Sequence, residues 1–217
     1  MTKTENTVRI SAPKFQTIAV TIRGIAPLVQ NRFSKKAKEA MMGKMEAGST
    51  AKGKKVRDAR DFDADFMAAQ YYGGTEEQAW SGIPAAAFRN ASIDVCRMVG
   101  FKMTHAKMSV FIEADGFDIY EGTPLVKLFS PAPPERTDMA VRNATGVADI
   151  RIRPMWREWG CVLRVRFDAD QFTAEDVLNL VNRSGMQVGV QEGRPFSKSS
   201  NGMGWGMFTV ENVQYDN

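Results

Sequence analysis

Residues 148–168 read ADIRIRPMWREWGCVLRVRFD. Ile150 and Ile152 alternate with Arg151 and Arg153, and after 154–160, Leu163, Val165 and Phe167 alternate with Arg164 and Arg166. Side chains two apart share one face of a strand. Each run therefore has an apolar face and an arginine face. Two alternating runs joined by a turn predict a β-hairpin, with Trp156 and Trp159 at its tip.

Upstream, 17–23 (TIAVTIR) alternates in the same way and predicts a half-buried strand. Ile83-Pro84 opens a stretch, 85–99, in which Phe88, Ala91, Val95 and Met98 form one apolar stripe, the pattern of a helix with proline at its start. Strands are expected at 107–115 and 125–129, and Pro131–Pro134 rules out a central strand there. Thr173 to Asp176 has the form of a capping box before a helix at 173–181, and 207–213 reads as a closing strand. Short helices are expected at 34–45, with Ser34 as N-cap, and at 61–72. The order of strands and helices is α+β, compatible with a ferredoxin-like antiparallel sheet.

The chain has 217 residues, 43% hydrophobic and 25% charged. That length suits one domain able to bury roughly 70% of its unfolded surface, and the composition excludes wholesale disorder. Two cysteines, Cys96 and Cys161, make neither a disulfide framework nor a four-ligand zinc site. No apolar leader or ~18-residue apolar run stands in the sequence, so a cytoplasmic protein without a membrane partner is expected, its first 14 residues a polar arm.

The net charge is +4, but nine basic residues and three acids fall between residues 34 and 60, a local +6. Lys35, Lys36, Lys52, Lys54, Lys55 and Arg57 belong to this basic insertion, which we place at 34–80. Concentrated positive charge is the footprint of a polyanion partner. Catalytic readings fail in turn. Residues 48–55 (GSTAKGKK) approach a P-loop, but Lys55 stands where Ser or Thr must hold magnesium. His105 is the lone histidine and no G-x-S-x-G elbow accompanies it. Asp58, Asp61, Asp63 and Asp65 have Arg57 and Arg60 beside them for simple pairing. The residues lean away from catalysis, and no cofactor or metal is expected. Between Gly185 and Gly206 six glycines surround Arg194 and Lys198. Glycine lets backbone N–H groups approach a phosphate chain closely.

Three stretches together resemble the RAMP superfamily of CRISPR-associated proteins, above all the backbone subunit that coats the guide RNA. They are the strand leading to Pro27-Leu28, the phrase Ile83-Pro84-Ala85-Ala86-Ala87-Phe88-Arg89-Asn90-Ala91 with Arg97 beyond it, and Gly204-Trp205-Gly206-Met207-Phe208. Ala85 and Ala86 stand where the family usually has serine or glycine, and Asn90 replaces a common glycine. The opening from Pro27 to Lys38, with Arg32 inside it, is also similar to that of phage-encoded proteins. The resemblance implies one domain over 1–217, an RRM-like palm with insertions. It implies non-catalytic, largely sequence-independent binding of single-stranded nucleic acid, RNA or DNA with RNA ahead, by a homo-oligomer along the strand, with other effector subunits as further partners. Arg151, Arg153, Arg164 and Arg166 would supply charge and Trp156 and Trp159 would stack on bases. Other readings are a phage single-stranded-DNA binding or recombination protein, a magnesium-dependent ribonuclease using Asp61 or a neighbour, and a virion assembly protein. No motif reports a 2′-hydroxyl contact.

Overall fold

The computed structural model describes residues 11–33, 35–46, 60–142, 148–197 and 202–215. It is mixed α and β, and every strand pairing among the described residues is antiparallel. In the larger sheet β1 (Phe15–Gly24) is flanked by β10 (Gly160–Asp168) and by β11 (Phe208–Tyr215), which forms one edge. Beyond β10 lie β5 (Val110–Ile112), paired with residues 165–167, and β7 (Pro124–Phe129), paired at Gly160 and Cys161. From β7 the sheet continues to β4 (Ala79–Pro84) and β3 (Tyr72–Gly74), while β6 (Gly116–Phe117) pairs with β7 off this path.

One face of this sheet is covered by helices. Ile18, Val20 and Ile22 of β1 and Cys161, Leu163, Val165 and Phe167 of β10 point into the core, the period-2 pattern expected of a half-buried strand. Against them pack α3 (Ala85–Met98) through Phe88, Ala91, Val95 and Cys96, and α5 (Ala174–Arg183) through Val177, Leu180 and Val181. Fully burying a side chain such as Phe88 is worth roughly 1.5–3 kcal/mol. Pro84, fixed at φ −52°, stands at the N-cap position of α3, with no side-chain capping bond. The capping box before α5 forms: the Thr173 hydroxyl accepts from Asp176 N at 3.1 Å, and the Thr173 N–H donates to the Asp176 carboxylate at 3.0 Å.

The predicted hairpin at 148–168 does not form, although both its strands do. β9 (Ala148–Trp156) pairs with β8 (Glu135–Arg142) and with β2 (Leu28–Val29) in a separate three-stranded sheet, while β10 belongs to the main one. The reason lies between them. Trp156 and Trp159 are each 3% exposed and belong to the core. The Trp159 indole N–H donates to Ala26 O at 2.8 Å, and its carbonyl accepts from Gly24 N at 2.8 Å. This anchor turns the chain into the main sheet at Gly160, where a simple hairpin would leave two indoles in water. The strand expected at 107–115 keeps only 110–112: α4 (Met103–Ser109) takes its first three residues, with Ala106 buried. The helix expected at 61–72 is α2 (Phe62–Ala68), capped by Asp61, which accepts from Asp63 N and Ala64 N. α1 (Lys35–Glu46) matches the first expected helix; Ser34 lies outside the described residues. Among the described residues no helix is long and apolar enough to cross a membrane.

Candidate nucleic-acid interface

Beyond α5 the chain continues through a π-helical turn, Ser184–Val188, into the glycine-rich stretch. The described residues of that stretch are stitched down. Gly206 N donates to Pro27 O at 2.7 Å, Val190 N to Gly206 O at 2.9 Å, and Glu192 N to Val29 O at 3.1 Å. Gly206 has φ +66°, and a Cβ there would collide with the Val190 carbonyl oxygen, so only glycine permits this crossing.

The crossing creates a cleft of about 630 Å³. Its floor is α3 with Pro84 just before it; Ala87, Asn90, Ala91 and Asp94 of the helix line it, and small side chains at 87 and 91 leave the helix surface open. One wall is Val188 to Arg194 with Ser197, and the other is Asn31 and Phe33, with Arg151 entering from β9. Phe33 is 59% exposed. A second hollow of about 350 Å³ shares Asn31, Phe33 and Arg151 and adds Arg32, Arg60, Asp65 and Arg153. The two form a groove running from the glycine-rich stretch along the base of β9 to α2.

The electrostatics of the groove are set by pairing. Arg153 Nε meets Glu192 at 2.6 Å and Arg151 meets the same carboxylate at 3.8 Å. Arg194 donates to Gln191 O at 2.9 Å. Arg60 bridges Asp65 at 2.8 Å and Asp149 at 3.1 Å, holding α2 against β9. Arg32 is turned inward: its guanidinium lies 3.3 Å from the fully buried Asp118 and 4.7 Å from the Tyr120 ring centroid. Burial beside this cluster pushes the Tyr71 hydroxyl upward from its ordinary range, against the opposing pull of Arg32.

Of the residues singled out from sequence, Arg151 and Arg194 line the main cleft, Arg153 and Arg32 the adjoining hollow. Arg32 is committed to Asp118 and lies 7% exposed, which corrects its reading as a surface contact. Trp156 and Trp159 are likewise corrected: rings buried in the core offer no face to a base. Arg89, Arg164 and Arg166 are elsewhere. Arg164 pairs with Asp115 at 2.7 Å and Glu113 at 3.6 Å. Arg97 is exposed near Met103 Sδ, 3.7 Å away. Lys35 and Lys36 open α1. Lys52, Lys54, Lys55, Arg57 and Lys198 lie outside the described residues. Sequence reasoning missed Asn31, Phe33 and Asn90 as lining residues. Their signal was position, within the opening phrase and the Ile-Pro phrase, rather than chemistry.

The carboxylates considered for magnesium have local partners: Asp61 caps α2, Asp63 lies 3.2 Å from Arg136, and Asp65 pairs with Arg60. Asp58 lies outside the described residues. No protein-family model matches the chain, and neither does any curated protein.

Proposed function

We propose that the protein binds single-stranded nucleic acid without catalysis, RNA rather than DNA, in the groove described above. One observation carries the reading. Three stretches distant in sequence, the opening phrase (Asn31, Phe33), the Ile-Pro helix (Pro84, Ala87, Asn90, Ala91) and the glycine-rich stretch (Val188 to Arg194), line one cleft. A sequence-independent single-strand site needs a groove of this kind, with cations for the backbone and an exposed ring for a base. Arg151, Arg194 and Phe33 are such groups.

The strand order supports the same reading. Along the chain, β1, α3, β5, β10, α5 and β11 run βαββαβ, and in space the strands lie in the order β11-β1-β10-β5. That order is compatible with the ferredoxin-like arrangement of RRM-type palms, with the β8–β9 ribbon as an appendage. The RAMP-like backbone subunit is the reading that joins palm, appendage and glycine-rich stretch, and it carries assembly of copies along the strand with it.

The deciding measurement is the absorbance ratio and nuclease sensitivity of the purified protein. Co-purifying material removed by ribonuclease supports the reading. Removal by deoxyribonuclease alone moves it to the single-stranded-DNA alternative. Nucleic-acid-free protein that binds no oligonucleotide at low salt overturns it.

A further inference from the structure

The face of the main sheet turned away from the helices carries an arrangement that the groove does not use. Phe15 and Thr17 of β1 and Arg164 and Arg166 of β10 belong to this face, and Phe111 of β5 lies directly across from Arg166. The Arg166 guanidinium stands 5.1 Å from the Phe15 ring centroid and 5.2 Å from that of Phe111. The two rings meet edge to face at 5.8 Å. Arg89 reaches in from α3, 5.2 Å from Phe111, held by the carbonyls of Val110 and Lys107.

Charge separates this cluster from its surroundings. Arg164, two residues before Arg166 on the same face, is neutralised by Asp115 and Glu113, and Arg23 is paired with Glu211 at 3.4 Å. Among the described residues neither Arg166 nor Arg89 has a carboxylate within ion-pair reach. Asp168, the nearest acid along β10 on this face, accepts from Asp170 N. Arg166 is exposed and Phe15 is 42% exposed. Rings therefore hold Arg166 in place without neutralising its charge.

We propose that this face is a second single-strand contact, in which a base stacks on Phe15 and Phe111 and Arg166 takes the adjoining phosphate, with Arg89 adding charge beside it. The proposal rests on the nucleic-acid reading of the protein and adds a surface to it. Bases stack on aromatic and guanidinium planes whatever their sequence, and arginine pairs with phosphate by charge-assisted hydrogen bonds. A second copy related by a two-fold axis is the poorer occupant. A two-fold contact through this patch would bring the unpaired arginines of both copies together, and like charges across an interface are unfavourable.

The test uses the full chain and a fluorescein-labelled 20-nucleotide oligouridine, read by anisotropy at low salt. Phe15→Ala and Arg166→Gln are expected to weaken binding about fivefold or more, the low end of one lost base stack, and Phe15→Trp to restore it. Photo-crosslinking with 5-iodouracil is expected to label the tryptic peptide 15–23. Arg151→Ala, in the groove, separates the two readings. If it weakens binding while the Phe15 and Arg166 variants match the parent and 15–23 is unlabelled, the sheet face is not a site and the groove stands. If only the sheet variants weaken binding, the groove is overturned and the sheet face stands. A parent that binds nothing overturns both. A Phe15→Ala protein with unchanged binding but altered mass in light scattering makes the face a contact between copies and overturns the proposal.

Discussion

Arg153 and Glu192 meet at 2.6 Å with side chains only 15% and 12% exposed, joining the base of the β8–β9 ribbon to the glycine-rich stretch. A pair this enclosed is a geometric clamp more than a reserve of stability, because desolvation offsets most of the attraction. It also places a negative charge in the groove that is proposed to hold phosphates.

Replacing Glu192 with Gln therefore has two opposite effects. Stability falls by about 1–3 kcal/mol, between the costs of breaking an exposed and a fully buried pair. Single-strand affinity at low salt rises, since Arg151 and Arg153 lose their competitor. Urea denaturation and anisotropy on the same sample check both signs.

Gly206→Ala is expected to destabilise the protein by more than about 2 kcal/mol, because left-handed backbone alone costs roughly 1–2 kcal/mol for other residues and the added Cβ collides with Val190 O. Gly100 has a similar φ of +73° but nothing near its Cβ position, so Gly100→Ala should cost only the backbone share. A thermal-melt comparison of the two separates collision from conformation.

The Thr173 hydroxyl and N–H hold the Asp176 carboxyl below its ordinary value of 3.8. A lowered folded value means that the stabilisation is complete above that ordinary value and is lost as pH falls through the folded one. Thr173→Ala should cost about 1 kcal/mol at pH 7, with the difference from the parent shrinking below about pH 4. Melts at neutral and at acid pH read this directly.

Both thiols are buried, and burial pushes each upward, Cys161 well above its ordinary range. The thiolate is the reactive form. Neither cysteine should react with a thiol reagent such as Ellman's reagent in native buffer, and both should do so in denaturant. Native labelling of either would show that the core opens locally.

Single-strand binding should weaken with salt at a slope of about −0.7 per phosphate contacted. Replacing Lys52, Lys54 and Lys55 together with Ala should lower that slope by about two units and leave the melting temperature unchanged, since the segment 48–55 has no apolar side chain larger than Ala51. A salt titration of parent and triple variant checks the first part, and a thermal melt the second.

Local pattern was enough to locate most of the elements. Alternation in 17–23 marked β1, the stripe from Phe88 to Val95 marked α3, and the Thr173 signal marked the start of α5, because each records burial of one face of a single element. The ribbon strand β8 was not legible, since in its sequence, ERTDMAVR, the alternation amounts to Met139 and Val141 alone, too short an apolar face to mark a strand. The groove was legible only in pieces. Its three stretches stood out separately, and nothing in their spacing said that they meet.

Periodicity and charge are thus properties of the chain read in order: which residues alternate, which helix has an apolar stripe, and where the cations cluster. Partners come from long-range packing. Packing sends β9 and β10 to different sheets, because Trp159 is anchored to Ala26 and Gly24 rather than to its neighbours along the chain. It also turns Arg32 inward to Asp118 and sets Arg166 between two rings. An alternating pattern gives arginines the same appearance in every strand. Whether one is neutralised depends on which acids the folded chain brings to it, and that information is in no local window.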